Sequence, residues 1–228
     1  MQYQRIRSGR FVCRPNRFIA HIEMDGIVHI CHVKNTGRCQ ELLVPGAEVY
    51  VQETSNPNRK TAFDLIAVRK GERLINMDSQ IPNRIFGEWI KNGGLFQHTD
   101  RILAEQKWGD SRLDFYLEGD GRKIYAEIKG VTLEEAGAVY FPDAPTQRGT
   151  KHLRELCSCV EAGFEAMAVF MIQMENVDFF APIRRTDPAF ADALAMAAKK
   201  GVKLLALDCR VTPDSIIANH SVEIRGVV

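Results

Sequence analysis

Three residues near the middle of the chain have the types and spacing needed for phosphoryl chemistry: Asp114, Glu127 and Lys129. Two carboxylates on one surface can hold Mg²⁺ or Mn²⁺, hard cations that prefer oxygen and keep several waters. A cation held there lowers the pKa of a bound water and neutralises charge developing on a phosphate. An ammonium beside it can orient or deprotonate that water, or stabilise the charge of the transition state. Glu105 lies on the approach to this region and is a further candidate metal ligand. The same triplet on an exposed sheet would be a cross-strand salt-bridge ladder with no chemistry. The pattern alone does not separate the two.

Positioning falls to a hairpin. Residues 111–117 and 123–129 read as antiparallel strands around Glu118-Gly119-Asp120-Gly121. With Glu118 facing Gly121, Asp114 lies opposite Tyr125. Period-two alternation then puts Asp114, Glu127 and Lys129 on one face, with Asp114 and Glu127 as diagonal neighbours about 7–8 Å apart. The other face holds Leu113, Phe115, Leu117, Ile124, Ala126 and Ile128 and must pack on helices. A bulge would break this register.

Further along, 147–162 reads as a helix with an apolar stripe at Leu153, Leu156, Cys157 and Val160, closed by Gly163. Its first turns carry Gln147, Arg148 and Lys151 near one face. The N–H groups and partial positive charge of a helix N-terminus also suit a phosphate. Tyr140 and Phe141 precede it as candidates for base stacking or as core anchors. Residues 166–174 are nearly all apolar, as in a central strand covered on both sides. Asp187-Pro188 starts a helix to Lys200, Gly201 caps it, and 202–208 is the last strand, parallel to the central one.

The first 80 residues read as five short strands, at 18–23, 27–33, 47–53, 61–69 and 73–77. Asp25-Gly26 is a hairpin turn, residues 35–37 break the ladder and 55–58 form a loop. Such a pattern fits a five-stranded OB-type barrel. Arg10, Arg14 and Arg17 interleave with Phe11 and Phe18, the composition of a sequence-tolerant nucleic-acid groove. Residues 78–82 look like the boundary, followed by a helix over 83–91. The expected division is therefore a barrel domain over 1–80 and an α/β domain over 81–228.

Composition sets limits. The 30 Lys and Arg residues nearly balance 29 Asp and Glu, for a net charge of +1, so any nucleic-acid field must come from local clustering. The start of the chain has no apolar core of a signal peptide, and no apolar run reaches the ~20 residues of a membrane helix. Six cysteines without a Cys-x-x-Cys pair read as reduced thiols of a cytoplasmic protein. His29, Cys31, His32 and Cys39 match no common zinc-finger spacing, so no zinc is expected, and Cys31 reads as a buried strand residue.

Residues 111–115 (SRLDF), 127–133 (EIKGVTL) and 141–156 (FPDAPTQRGTKHLREL) strongly resemble the sugar fermentation stimulation protein A family. The segments at 35–37 and 44–46 are similar to it as well. The resemblance implies an N-terminal OB-type barrel and a restriction-endonuclease-like mixed sheet flanked by helices, similar to the PD-(D/E)XK nucleases. It also implies DNA binding with a link to expression of sugar-utilisation genes. Placed on the nuclease pattern, the first Asp is Asp114, the acidic second position Glu127 and the Lys Lys129. Leu113 stands where that pattern has Pro, and Gly130 is smaller than the residue expected after the Lys.

The expected function is therefore a DNA-binding protein with a divalent-metal-dependent phosphodiesterase site. The alternatives are a non-catalytic DNA-binding regulator that keeps the nuclease fold as scaffold, and an RNA-processing factor acting through the barrel.

Overall fold

The computed structural model describes residues 1–35, 37–56 and 58–227; Thr36 and Pro57, parts of the expected break at 35–37 and loop at 55–58, lie outside the described residues. The first six strands are β1 (Ile6–Asn16), β2 (Ile19–Met24), β3 (Ile27–Val33), β4 (Glu48–Glu53), β5 (Phe63–Lys70) and β6 (Arg73–Asn76). They run in the order β3-β2-β1-β4-β5-β6, and β3 also pairs with β5 through Cys31–Val33 against Phe63–Leu65. That pairing closes a five-stranded OB barrel from β1 to β5. Asp25 and Gly26 both have positive φ, as a two-residue hairpin turn requires.

The barrel has five strands, but not the five expected. β1, the strand between β2 and β4, escapes the alternation rule because its register against β2 shifts twice, between Phe11 and Cys13 and again before Asn16. Each bulge resets the inward–outward sequence. Gly9 lies where β1 crosses β2 so closely that a Cβ would sit 2.7 Å from the Glu23 carbonyl oxygen. β6, expected as the fifth barrel strand, pairs only with β5, outside the closure.

The second half opens with α1 (Ile81–Lys91), which buries Ile85, Phe86 and Ile90. The strands β7 (Thr99–Trp108), β8 (Ser111–Gly119) and β9 (Arg122–Val131) follow as an antiparallel set. Then come β10 (Leu133–Glu135), β11 (Ala138–Phe141), α2 (Gln147–Glu161), β12 (Glu165–Ile172), β13 (Phe180–Pro182), α3 (Pro188–Lys199), β14 (Lys203–Thr212) and β15 (Ser215–Ser221). The large sheet is mixed, in the order β15-β14-β12-β9-β8-β7, with β12 parallel to both β9 and β14. β10, β11 and β13 make a separate small sheet.

β12 is the central strand, buried from Ala166 to Ile172, and the two faces of the sheet belong to two cores. Phe115, Leu117, Ile124, Ala126 and Ile128 pack with Ile85, Phe86 and Ile90 of α1. Leu153 and Leu156 of α2, Phe190 of α3 and Phe170 of β12 share the other core. Leu113, expected with the first group, joins the second.

Backbone bonds tie the two halves together. Asn76 N–H donates to the Gln173 carbonyl at 2.9 Å, and Tyr3 N–H donates to the Asp214 carbonyl at 2.7 Å. Gln2 bridges to Ser215, so the first residues of the chain lie against its C-terminal half. The cysteines are all free, and among the described residues no helix is long and apolar enough to cross a membrane.

Candidate metal centre and nucleic-acid interface

The site is built where β8 and β9 separate. Asp120 and Gly121 both take positive φ, making a two-residue turn. Gly119 therefore pairs with Arg122, and Tyr116 rather than Asp114 lies opposite Tyr125. The expected register was two residues off, which leaves side-chain parity unchanged. Pairing ends at Phe115 against Ala126. One residue on, the backbone of β8 leaves the ladder and the side chain of Asp114 takes over: its Oδ2 accepts from the Ile128 N–H at 2.7 Å. Its Oδ1 accepts from Asn83 Nδ2 at 2.8 Å, from the first turn of α1. On β7, Glu105 has φ +50° at the position facing this departure.

Glu127 is buried on β9. Its Oε1 accepts from Lys129 Nζ at 2.6 Å and also bonds Nδ1 of the buried His152 on α2. Its Oε2 is buried with no hydrogen-bond partner among the described residues. Burial and the neighbouring Glu127 charge hold the Asp114 carboxyl above the ordinary range. Burial acts the same way on Glu127, but hydrogen bonds from His152 and Lys129 outweigh it and hold that carboxyl below its ordinary value. The two carboxyls are thus pushed in opposite directions, and the charge of Glu127 is felt by Asp114.

Asp114, Glu127 and Lys129 come together, with Asn83 and His152 as members not expected from the sequence. His152 lies one position before Leu153 of the apolar stripe and four before Leu156. A titratable residue on the buried face of a helix was the available signal. Glu105 is not gathered in. Its backbone conformation turns it to solvent, where it is 3.5 Å from Arg112.

Among the described residues no group of three or more His, Cys, Asp or Glu side chains forms a ready-made cage. Mg²⁺ does not need one, since it is commonly held by one or two carboxylates and completed by water. The orphaned Glu127 Oε2 is what such an ion would satisfy, because a buried carboxylate oxygen left unpaired is costly. The residues present therefore fit a divalent cation, with Glu127 and Asp114 as the oxygen donors.

Around the centre lie the basic candidates. Thr146 caps α2 by accepting from the Gly149 N–H at 3.0 Å. Gln147, Arg148 and Lys151 are exposed on its first turns. Arg148 Nε is 3.4 Å from His152 Nε2, and Lys151 is 3.6 Å from Glu155. On the barrel, Arg10 and Arg17 are exposed.

Arg14 has a different part from the one expected. Its two terminal nitrogens donate to the carbonyls of Gly37, Arg38, Arg17 and Asn35 at 2.6–2.8 Å. With those N–H groups spent on backbone, Arg14 pins the loop that carries Arg17 and Arg38 and has little left for a phosphate. A cleft of about 470 Å³ runs from Arg14, Arg17 and Arg38 to Ala144, just before α2. Arg17 and Arg38 of the barrel therefore border one groove with the segment that leads into α2.

Comparison with known proteins covers the whole chain. The family model described as the SfsA N-terminal OB domain matches residues 12–77. The model described as the sugar fermentation stimulation protein RE domain matches residues 80–215. The chain is 58% identical to the sugar fermentation stimulation protein homolog of Desulfitobacterium hafniense over 227 residues, covering 100% of this chain and 99% of the relative. It is 52% identical to the homolog of Ruminiclostridium cellulolyticum, covering 99% of this chain and 100% of that one. A solved structure of Pyrococcus furiosus SfsA, described as in complex with Ca²⁺, is similar with a TM-score of 0.88 and 27% identity, covering 99% of this chain and 98% of that chain.

Proposed function

The chain belongs to the sugar fermentation stimulation protein family, and from that premise we propose that it binds DNA and hydrolyses a phosphodiester bond at a divalent-metal site formed by Asp114, Glu127 and Lys129. One observation carries the reading: Glu127 Oε1 is held from two sides while its Oε2 is buried with no partner. A carboxylate prepared in this way, beside a second carboxyl that feels its charge, suits a cation better than a salt-bridge ladder. The Ca²⁺ described for the Pyrococcus relative supports it.

A bound divalent cation would supply a water of lowered pKa and positive charge for the phosphate. His152 and Lys129 fix the Glu127 carboxylate in one orientation. Asn83 and the Ile128 N–H do the same for Asp114. Lys129, 2.6 Å from Glu127 Oε1, is placed to stabilise negative charge developing on a phosphate oxygen. Arg17 and Arg38 along their groove, and the N-terminus of α2 beyond Ala144, would hold the nucleic-acid backbone.

The test is titration of Mg²⁺ and Mn²⁺ into the protein beside Asp114→Asn, followed by cleavage assays on single- and double-stranded DNA. One site lost in the variant, together with metal-dependent cutting, supports the proposal. No metal binding with or without DNA overturns it.

A second reading has its own observation. Both oxygens of Asp114, and Lys129 Nζ, already have internal partners. A regulator that binds DNA and retains the fold as scaffold would have such an arrangement. It predicts salt-dependent DNA binding without turnover.

A further inference from the structure

Immediately beyond Lys129 the chain leaves a small cleft open. It measures about 180 Å³ and lies between the barrel loop and the second half, lined by Asn35, Ser79, Gly130, Tyr140, Asp143 and Gln173, among others. That is the liquid volume of about six waters, the scale of one heterocyclic ring system and well below a drug-sized pocket of about 300–1,000 Å³.

Gln173 makes the cleft more than a gap. The residue is 1% exposed. Its Nε2 donates to the Asn76 carbonyl, to Asn76 Oδ1 and to the Asp78 carbonyl at 3.0–3.1 Å. Those three acceptors fix which way round the amide sits. Its Oε1 is left as a rigid acceptor that meets no donor among the described residues.

Gly130 explains how that acceptor stays open. A Cβ at this position would lie 2.6 Å from Gln173 Oε1 and 2.8 Å from Pro82 Cγ. Any side chain there would cover the oxygen. Tyr140 and Phe141 both add aromatic rings to the wall; Phe141 is also held by Phe170 and Phe190 of the core, which leaves Tyr140 as the ring outside it.

We infer that this cleft receives a single nucleobase of the bound strand, stacked against Tyr140 and presenting a ring or exocyclic N–H to Gln173 Oε1. The inference rests on the reading that a nucleic-acid strand reaches the Lys129 site: Gly130 follows Lys129 on β9, with its own side turned to Gln173 and Pro82, so the strand would pass the end of the sheet between the two. A base pair would not fit in the volume, so the base must be unpaired or turned out of its stack.

The experiment is a protein-observed NMR titration, without divalent metal, of the four deoxynucleoside 5′-monophosphates and of 2-deoxyribose 5-phosphate, which lacks the base. At least one nucleotide is expected to bind about tenfold or more tightly than the sugar phosphate, as base stacking allows. The shifts should centre on Gly130, Tyr140 and Gln173. Gly130→Ala should reduce that affinity to the sugar-phosphate level. Tyr140→Leu, which leaves Gln173 and its neighbours unstrained, should lower it in the same direction if Gly130→Ala fails to fold.

Equal binding of nucleotide and sugar phosphate, or wild-type affinity in folded variants, would overturn the inference. No cleavage or metal is needed for this readout, so failure of the nuclease proposal would leave its result intact.

Discussion

His152 of α2 reaches the carboxylate of Glu127 on β9, and the two buried side chains share a hydrogen bond between Nδ1 and Oε1. Because Lys129 takes the same oxygen, the opposite oxygen is left alone in the interior. The pair thus converts an ordinary strand glutamate into a fixed, one-sided oxygen donor. Partners of this kind, one layer behind a metal ligand, commonly change metal affinity by about 10–100-fold when removed.

His152→Ala is accordingly expected to weaken Mn²⁺ binding by about 10–100-fold, read by calorimetric titration. His152→Asn keeps a donor in this region and should recover part of the loss. Equal affinity in wild type and His152→Ala would show that the bond does not orient the ligand.

Lys129→Ala separates binding from chemistry. Glu127 and Asp114 remain, so a metal should still bind, while metal-dependent cleavage of labelled DNA should fall by roughly a hundred- to ten-thousand-fold. Asp114→Asn should lose both. Retained cutting in both variants would remove these residues from the active centre.

Arg14 and Arg17 should behave differently although both are barrel arginines. Arg14→Ala removes donors from four carbonyls. It should cost about 3 kcal/mol, or a melting temperature lower by about 6–12 °C for a chain of this size. Arg17→Ala should stay within about 0.5 kcal/mol of wild type but bind DNA more weakly, with a shallower salt dependence. The reverse pattern would restore Arg14 as the contact residue.

Acid stability should depend on Glu165. Arg122 grips it with two nitrogens at 2.7 and 2.8 Å, and Lys203 adds a third bond at 2.6 Å. The Arg122 hydrogen bonds, together with Lys203, bring its pKa down from 4.5 to about 2. A folded-state pKa below the unfolded one gives stability that is present above about pH 4.5 and lost as the pH falls toward 2. Solvent reaches this cluster, so Glu165→Gln should cost about 1–2 kcal/mol at neutral pH. Urea unfolding across pH should show the two proteins converging in acid. A constant difference down to pH 2 would contradict the assignment.

Much of this was legible in the residues. Asp25-Gly26 announces a hairpin because few other pairs accept two successive positive φ angles, and residues 118–121 announce a second one without fixing its central pair. The apolar run at 166–174 announces a central strand, and Asp187-Pro188 a helix start. Each of these signals is local, spanning a few residues whose own backbone and side-chain preferences decide the outcome.

What was not legible is non-local. β1 stayed hidden because its bulges are defined by the partner strand, not by its own composition. The β8–β9 register shifted by two because the two-residue turn sits at Asp120-Gly121, one residue later than the expected closing pair allows. The parity of that shift kept Glu127 and Lys129 on their expected face. Residue types alone could not show that Arg14 is consumed by backbone carbonyls, or that Glu105 turns outward at a kink.

The centre itself divides the same way. Its acids and its lysine follow from residue type and strand periodicity. The unpaired oxygen of Glu127 follows only from packing α2 against β9, which brings His152 across a separation of 25 residues. The open acceptor of Gln173 follows only from Asn76 and Asp78, 97 and 95 residues away. Hydrogen-bond satisfaction in a buried site is decided by whatever the fold brings within about 3 Å, and no local sequence pattern records that.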